Sequence, residues 1–141
     1  MPVAREHQLY VKIAQHLQEN YPDVIYRFDI AADLKLTQGQ AKKFKTLHPK
    51  RGYPDLFIAQ PSPTIEWGPN GLIFGGVGLY LELKAEGNSP FKKDGTLKKD
   101  QHLEEQNEYL ERLRRVGYKA EFATGLEEAV TMIDNYLQGK A

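Results

Sequence analysis

Two acidic residues and one lysine, set on short apolar stretches, are the residues of this chain best suited to chemistry. Leu79-Tyr80-Leu81-Glu82-Leu83-Lys84-Ala85 alternates with period two and reads as a strand. Glu82 and Lys84 are two residues apart, so they project from one face of it, one pleat apart. Upstream, Gly52-Tyr53-Pro54 introduces a second short strand, Asp55-Leu56-Phe57-Ile58-Ala59. If the two strands pair, Asp55 and Glu82 can hold a divalent cation between them. Lys84 then sits beside whatever that cation activates. A divalent cation such as Mg²⁺ or Mn²⁺ held in this way can acidify a bound water and polarise the group that water attacks. Carboxylates suit such hard ions, and the Leu83 carbonyl is a plausible extra ligand. Lys84 can orient the attacking hydroxide or offset developing negative charge. The plainer reading of Glu82 and Lys84 is an exposed strand ion pair, which contributes little.

The elements that must position these groups follow from periodicity. Residues 4–19 predict an amphipathic helix with Leu9, Tyr10, Ile13 and Leu17 as its apolar stripe. Glu6 lies on the same face, and a carboxylate aimed at a core needs a partner. It either complements the start of the helix or serves as a ligand at the edge of a metal site. Residues 24–30 read as the first strand. Residues 31–49 have no clear period and predict a loop, with a short helix near 38–44. Asp33-Leu34-Lys35 repeats the acid-x-lysine pattern without flanking alternation, which shows how little the bare triplet carries. Residues 64–78 are rich in turn signals, with 71–74 as a candidate short strand. Trp67 within them is either packing or a stacking platform for a base.

Residues 86–100 are polar and broken by Asn88-Ser89-Pro90 and Asp94-Gly95, and predict a mobile loop. Residues 101–116 predict a strong helix with Leu103, Gln106, Leu110 and Leu113 on one stripe. Gln106 is the anomaly there. It is either a core amide satisfied by backbone or a side chain that reaches the site. Residues 118–123 read as a strand, and Thr124-Gly125-Leu126-Glu127 as a capping box opening the last helix. The order is helix, three strands with a hairpin-like insertion, helix, strand, helix. That is an α/β fold with a mixed sheet and helices on its faces.

Composition narrows the options. A length of 141 residues suits one domain, 1–141. With no cysteine, disulfides and thiolate metal sites are excluded. The four histidines are scattered, which argues against structural zinc. No apolar run is long enough to span a membrane, and no signal peptide is visible, so a cytoplasmic location is expected. The formal net charge is zero. Even so, Lys35, Lys42, Lys43, Lys45, Lys50 and Arg51 cluster before the first motif, and Lys92, Lys93, Lys98 and Lys99 after the second. These are either solvated loops or DNA-binding groups whose phosphate contacts would be salt-sensitive.

Gly52-Tyr53-Pro54-Asp55-Leu56, then Leu81-Glu82-Leu83-Lys84, then Gln106 eleven residues before Gly117, resembles the virus-type replication-repair nuclease domain (VRR-NUC) of the PD-(D/E)XK superfamily. The resemblance covers nearly the whole chain, from Glu6 to about Leu137. It implies a restriction-endonuclease-like core (αβββαβ) and Mg²⁺- or Mn²⁺-dependent cleavage of DNA. It also implies that Asp55 and Glu82 bind the metal, that Lys84 is the catalytic lysine, that Gln106 is the family's helix glutamine, and that Glu6 is the acidic residue of its first helix. Branched DNA, such as flaps and four-way junctions, is the implied substrate. Free-standing members resemble phage or prophage proteins and look like homodimers. The 27 positions between Asp55 and Glu82 exceed the shortest members, and the Gly-rich insertion that fills the gap bears on substrate choice or dimerisation. Two alternatives stay open: a flap or restriction-like nuclease of the same superfamily, and a catalytically silent DNA-binding domain.

Overall fold

The computed structural model describes residues 2–29, 36–69 and 71–140, with 2–5, 65–68 and 71–74 described by backbone alone. Ile30, the Asp33-Leu34-Lys35 triplet and the Trp67 side chain therefore lie outside the described residues. In chain order the elements are α1 (Pro2–Asn20), β1 (Tyr26–Phe28), α2 (Gln38–Leu47), β2 (Leu56–Ile58), β3 (Ile65–Gly68), β4 (Gly71–Phe74), β5 (Leu79–Lys84), α3 (Gln101–Arg115), β6 (Lys119–Thr124) and α4 (Gly125–Gln138). Four strands form a mixed sheet in the order β1-β2-β5-β6. The first two pairings are antiparallel and β5–β6 is parallel. The parallel pair needs a crossover, which α3 provides.

Alternation along β5 sorts its side chains between two cores. Leu79, Leu81 and Leu83 join Leu56 and Ile58 of β2, Ile13 and Leu17 of α1, and Ala129 and Ile133 of α4. Tyr80 joins Leu110 of α3 and Ala120 and Phe122 of β6 on the other side. Burial on both faces fits a strand in the middle of the sheet. It also means that Glu82 lies among buried side chains and not on a wet surface. An exposed strand ion pair is thereby excluded.

Several local expectations change. Residues 86–100 are an ordered hairpin-like excursion: Phe91 bridges Leu97, and Lys92 N–H donates to the Thr96 carbonyl at 2.7 Å. Asp94 turns the chain by accepting from Thr96 N–H at 3.0 Å and from its hydroxyl at 2.6 Å. Pro90 is fully buried and Phe91 meets Phe122 edge-on at 5.7 Å, which anchors the excursion to the sheet. The turn-rich insertion is the antiparallel β3–β4 hairpin, of which β4 was expected and β3 was not. The capping box predicted at Thr124 is not formed. Thr124 is still paired with Lys84 as the last residue of β6, and Gly125 turns the chain into α4 at φ +80°. A capping box does occur at Thr37 and Gln40, where α2 begins.

Candidate active site

The β2–β5 register pairs Leu56 with Leu81. Continued by one and two residues, it sets Asp55 opposite Glu82 and Pro54 opposite Leu83. The Leu83 N–H donates to Asp55 Oδ2 at 2.8 Å. In an antiparallel pair the Leu83 carbonyl points to the same side as its N–H. Pro54 has no N–H to give it, so the backbone ladder stops beside the two carboxyls. The proline thus has a chemical consequence beyond starting a strand.

Gln106 connects α3 to this point. Its Nε2 donates to Glu82 Oε1 at 2.8 Å, and its Oε1 accepts from Lys84 Nζ at 2.8 Å. Lys84 Nζ stands 4.0 Å from Glu82 Oε1, so the amide is the closer partner of both charges. The ammonium also lies over the Phe122 ring at 5.9 Å, near the outer limit of a cation–π contact. The Gln106 amide has a third neighbour, His102 Nε2 at 3.1 Å. His102 is exposed and marks the solvent side of the site. The anomalous amide on the apolar stripe of α3 therefore bridges Glu82 and Lys84.

Electrostatics separates the two acids from ordinary surface carboxylates. Glu82 Oε2 is buried and takes no hydrogen bond from an N–H or O–H among the described residues. Glu82 and the Asp55 carboxyl lie within reach of each other, and a bond between them needs a proton on one of the two. Burial, above all, pushes the Glu82 carboxyl well above its usual range. The Asp55 charge and the shared bond push the same way, Lys84 opposes them, and Glu6 adds a smaller push. Asp55 is raised as well, chiefly by burial. The Leu83 N–H, the Glu82 bond, the Tyr10 hydroxyl and the Lys84 charge all pull it back. A hard divalent cation fits between the two carboxyls: the donor set is all oxygen, and one buried oxygen lacks a donor. Among the described residues, no group of three or more His, Cys, Asp or Glu side chains is placed to hold a metal ion.

The remaining expected residues divide. Glu6 is close enough for its charge to act on Glu82. Lys98 and Lys99 line a cavity of about 230 Å³ together with Lys84, Asn88 and Leu103, and so belong with the site. Lys50 and Arg51 line a separate groove on the outer flank of α3, with Lys45, Glu105, Tyr109 and Arg112. Lys92 and Lys93 are exposed on the hairpin of residues 86–100 and line neither. Two site residues were missed in sequence. Tyr10 counted only as core, although it follows Glu6 by four on one helix face and its hydroxyl reaches Asp55. His102 precedes Gln106 by four on α3, a spacing that could have flagged it.

Gly52 fixes how closely α3 approaches the strand end. Its φ is +96°, and a Cβ there would lie 3.0 Å from the backbone of Glu105 and Gln106. Gly52→Ala is expected to lose about 1–3 kcal/mol through strain and clash. It also pushes Gln106 away from Glu82 and Lys84. Chemical denaturation should report the first effect. Unchanged stability would show that the two backbones have room to part.

No family model and no curated protein matches the chain. Among solved structures, a chain described as "VRR_NUC domain protein" matches at 31% identity, over 71% of this chain and 64% of that one, with a TM-score of 0.47. This chain therefore spans less than two thirds of that chain's length. The family in that description is the one that the Asp55, Glu82, Lys84 and Gln106 set resembles.

Proposed function

We propose that this chain is a nuclease of the virus-type replication-repair family, a metal-dependent, structure-selective endonuclease that hydrolyses phosphodiester bonds in branched DNA, with four-way junctions as the foremost substrate. The single observation that carries the reading is the buried Asp55–Glu82 pair tied through Gln106 to Lys84. A structural role does not account for it, because burying two adjacent carboxyls costs stability and adds no packing. Asp55, Glu82 and the Leu83 carbonyl would hold the cation, with Glu6 at the edge of the site. When bound, Mg²⁺ or Mn²⁺ supplies an acidified water and neutralises charge on the phosphate.

The protein's own groups do the rest. Gln106 Oε1 takes one N–H of the Lys84 ammonium and leaves two for the attacking oxygen or the phosphate. Lys98 and Lys99 border the same cavity, so a phosphate entering it faces three ammonium groups. Leu83 N–H and the Tyr10 hydroxyl orient Asp55. A homodimer would present two such sites to the symmetric strands of a junction. No helix among the described residues is long and apolar enough to cross a membrane. The bacterial cytoplasm, with a phage or prophage gene as source, is the proposed setting.

A panel of four-way junction, flap and linear duplex DNA, incubated with Mn²⁺ or EDTA beside a molecular-mass measurement, tests the reading. Paired symmetric cuts across the junction by a dimer, lost in EDTA, are the expected result. Cuts on one arm of a flap by a monomer would move the substrate to flaps. Cutting of linear duplex at fixed sequences would make it restriction-like. Binding without cutting in either Mg²⁺ or Mn²⁺ would leave a silent DNA-binding domain.

A further inference from the structure

The search outside the catalytic cluster leads to α2. No residue of this ten-residue helix is buried. Isolated helices of that length are marginal in water even for favourable sequences. Its order rests on the Thr37–Gln40 capping box and on a Phe44–His48 ring contact at 5.1 Å. Residues 36–51 hold five cationic side chains and no acidic one, in a chain whose net charge is zero. Lys42 and Lys45 are three apart and share a helix face. Lys45 lines the outer groove of α3 together with Lys50, Arg51 and Arg112. Glu105 and Glu108 also line it, yet no ion pair joins them to these cations among the described residues. The chain then runs through Gly52 and Pro54 straight into Asp55.

We infer that α2 and this groove form a second DNA-contacting surface, which grips the sugar–phosphate backbone of a duplex arm away from the phosphate being cut. The charge complementarity selects a polyanion. Unpaired lysines on an exposed helix provide sequence-independent contacts that release counterions on binding. The apolar pair Phe44 and Leu47, on the opposite side of α2, offers the competing occupant, a second copy of this chain. That occupant leaves the five cations unused. The inference rests on the reading of the chain as a DNA-handling protein, but it concerns binding and not cleavage.

Binding of a fluorescent duplex, in EDTA and over a series of salt concentrations, separates the two. Lys42→Ala/Lys45→Ala should keep the helix, since alanine is the strongest helix former and neither lysine is buried. The slope of log K against log salt should flatten by about 1.8, near 0.9 for each lost phosphate contact, and affinity near 0.1 M salt should fall roughly tenfold. Lys12→Ala/Lys140→Ala, at two exposed lysines outside the site and the groove, serves as a charge-matched comparison. An unchanged slope in the α2 variant, or an equal change in both, overturns the proposal. So does a dimer that turns monomeric with Leu47→Asp while the lysine variant still binds like wild type. Failure of cleavage in Mn²⁺ would remove the nuclease reading and leave this binding result standing.

Discussion

Lys84→Ala is expected to fold, to bind DNA and metal, and to cleave about 10²–10³-fold more slowly, the scale of losing one preorganised electrostatic group from a transition state. The ammonium is held at 2.8 Å by Gln106 Oε1 and lines the cavity next to the two carboxyls, so it is in place before substrate arrives. Its removal has modest structural cost. Glu82 Oε1 keeps the Gln106 Nε2 donor, and Gln106 Oε1 loses one partner at a buried position, a cost of about 1–3 kcal/mol. The loss should appear in kcat under saturating metal. Lys84→Arg should restore charge without restoring rate, because a planar guanidinium cannot take the place of a compact ammonium against the same amide. Single-turnover cleavage of a junction, with metal titrated to saturation, makes the measurement. Equal rates for Lys84→Ala and wild type would sink the enzyme reading altogether.

The sequence showed this site unevenly, for identifiable reasons. The register that sets Asp55 opposite Glu82 was legible because period-two alternation and Pro54 leave few ways to pair two short strands. Gln106 stood out because an amide interrupts an apolar stripe, but its role needed the geometry: spacing cannot say that one amide spans a carboxyl and an ammonium. Burial of Glu82 was illegible. It depends on α3 covering one face of β5 while α1 and α4 cover the other, which is a property of the assembled layers. The excursion at 86–100 was read as mobile from its Gly, Lys and Asp content. Pro90 and Phe91, which tie it down, look like ordinary loop residues until Phe122 is seen beneath them. The missing cap at Thr124 has the same origin, since a local motif gave way to the pairing that keeps Thr124 in β6.

Glu82→Gln should make the metal-free protein more stable near neutral pH and should abolish both cleavage and stabilisation by Mg²⁺. Glu82 has a folded-state pKa raised above its ordinary value of 4.5, with burial as the leading cause and Asp55 next. A group raised in the folded state contributes stability that is full below its unfolded pKa and lost as pH rises through the folded value. Asp55 shifts in the same direction. Without metal, wild-type stability should therefore fall as pH rises from about 4.5 toward neutrality. A neutral amide escapes that loss at its own position. It can accept from Gln106 through Oε1 and donate to Asp55 through Nε2, so the buried oxygen that lacks a donor disappears. The gain should be about 1–3 kcal/mol near neutral pH, the scale of one unsatisfied buried polar group, and should vanish at the acidic end where wild type is protonated. Mg²⁺ should flatten the wild-type profile by stabilising the folded state in proportion to its binding, and should leave Glu82→Gln unmoved. Thermal unfolding across pH, in EDTA and in Mg²⁺, reads all of this. A variant less stable than wild type at every pH, with Mg²⁺ shifting both equally, would mean that the buried carboxyl serves the fold and that the cation binds elsewhere.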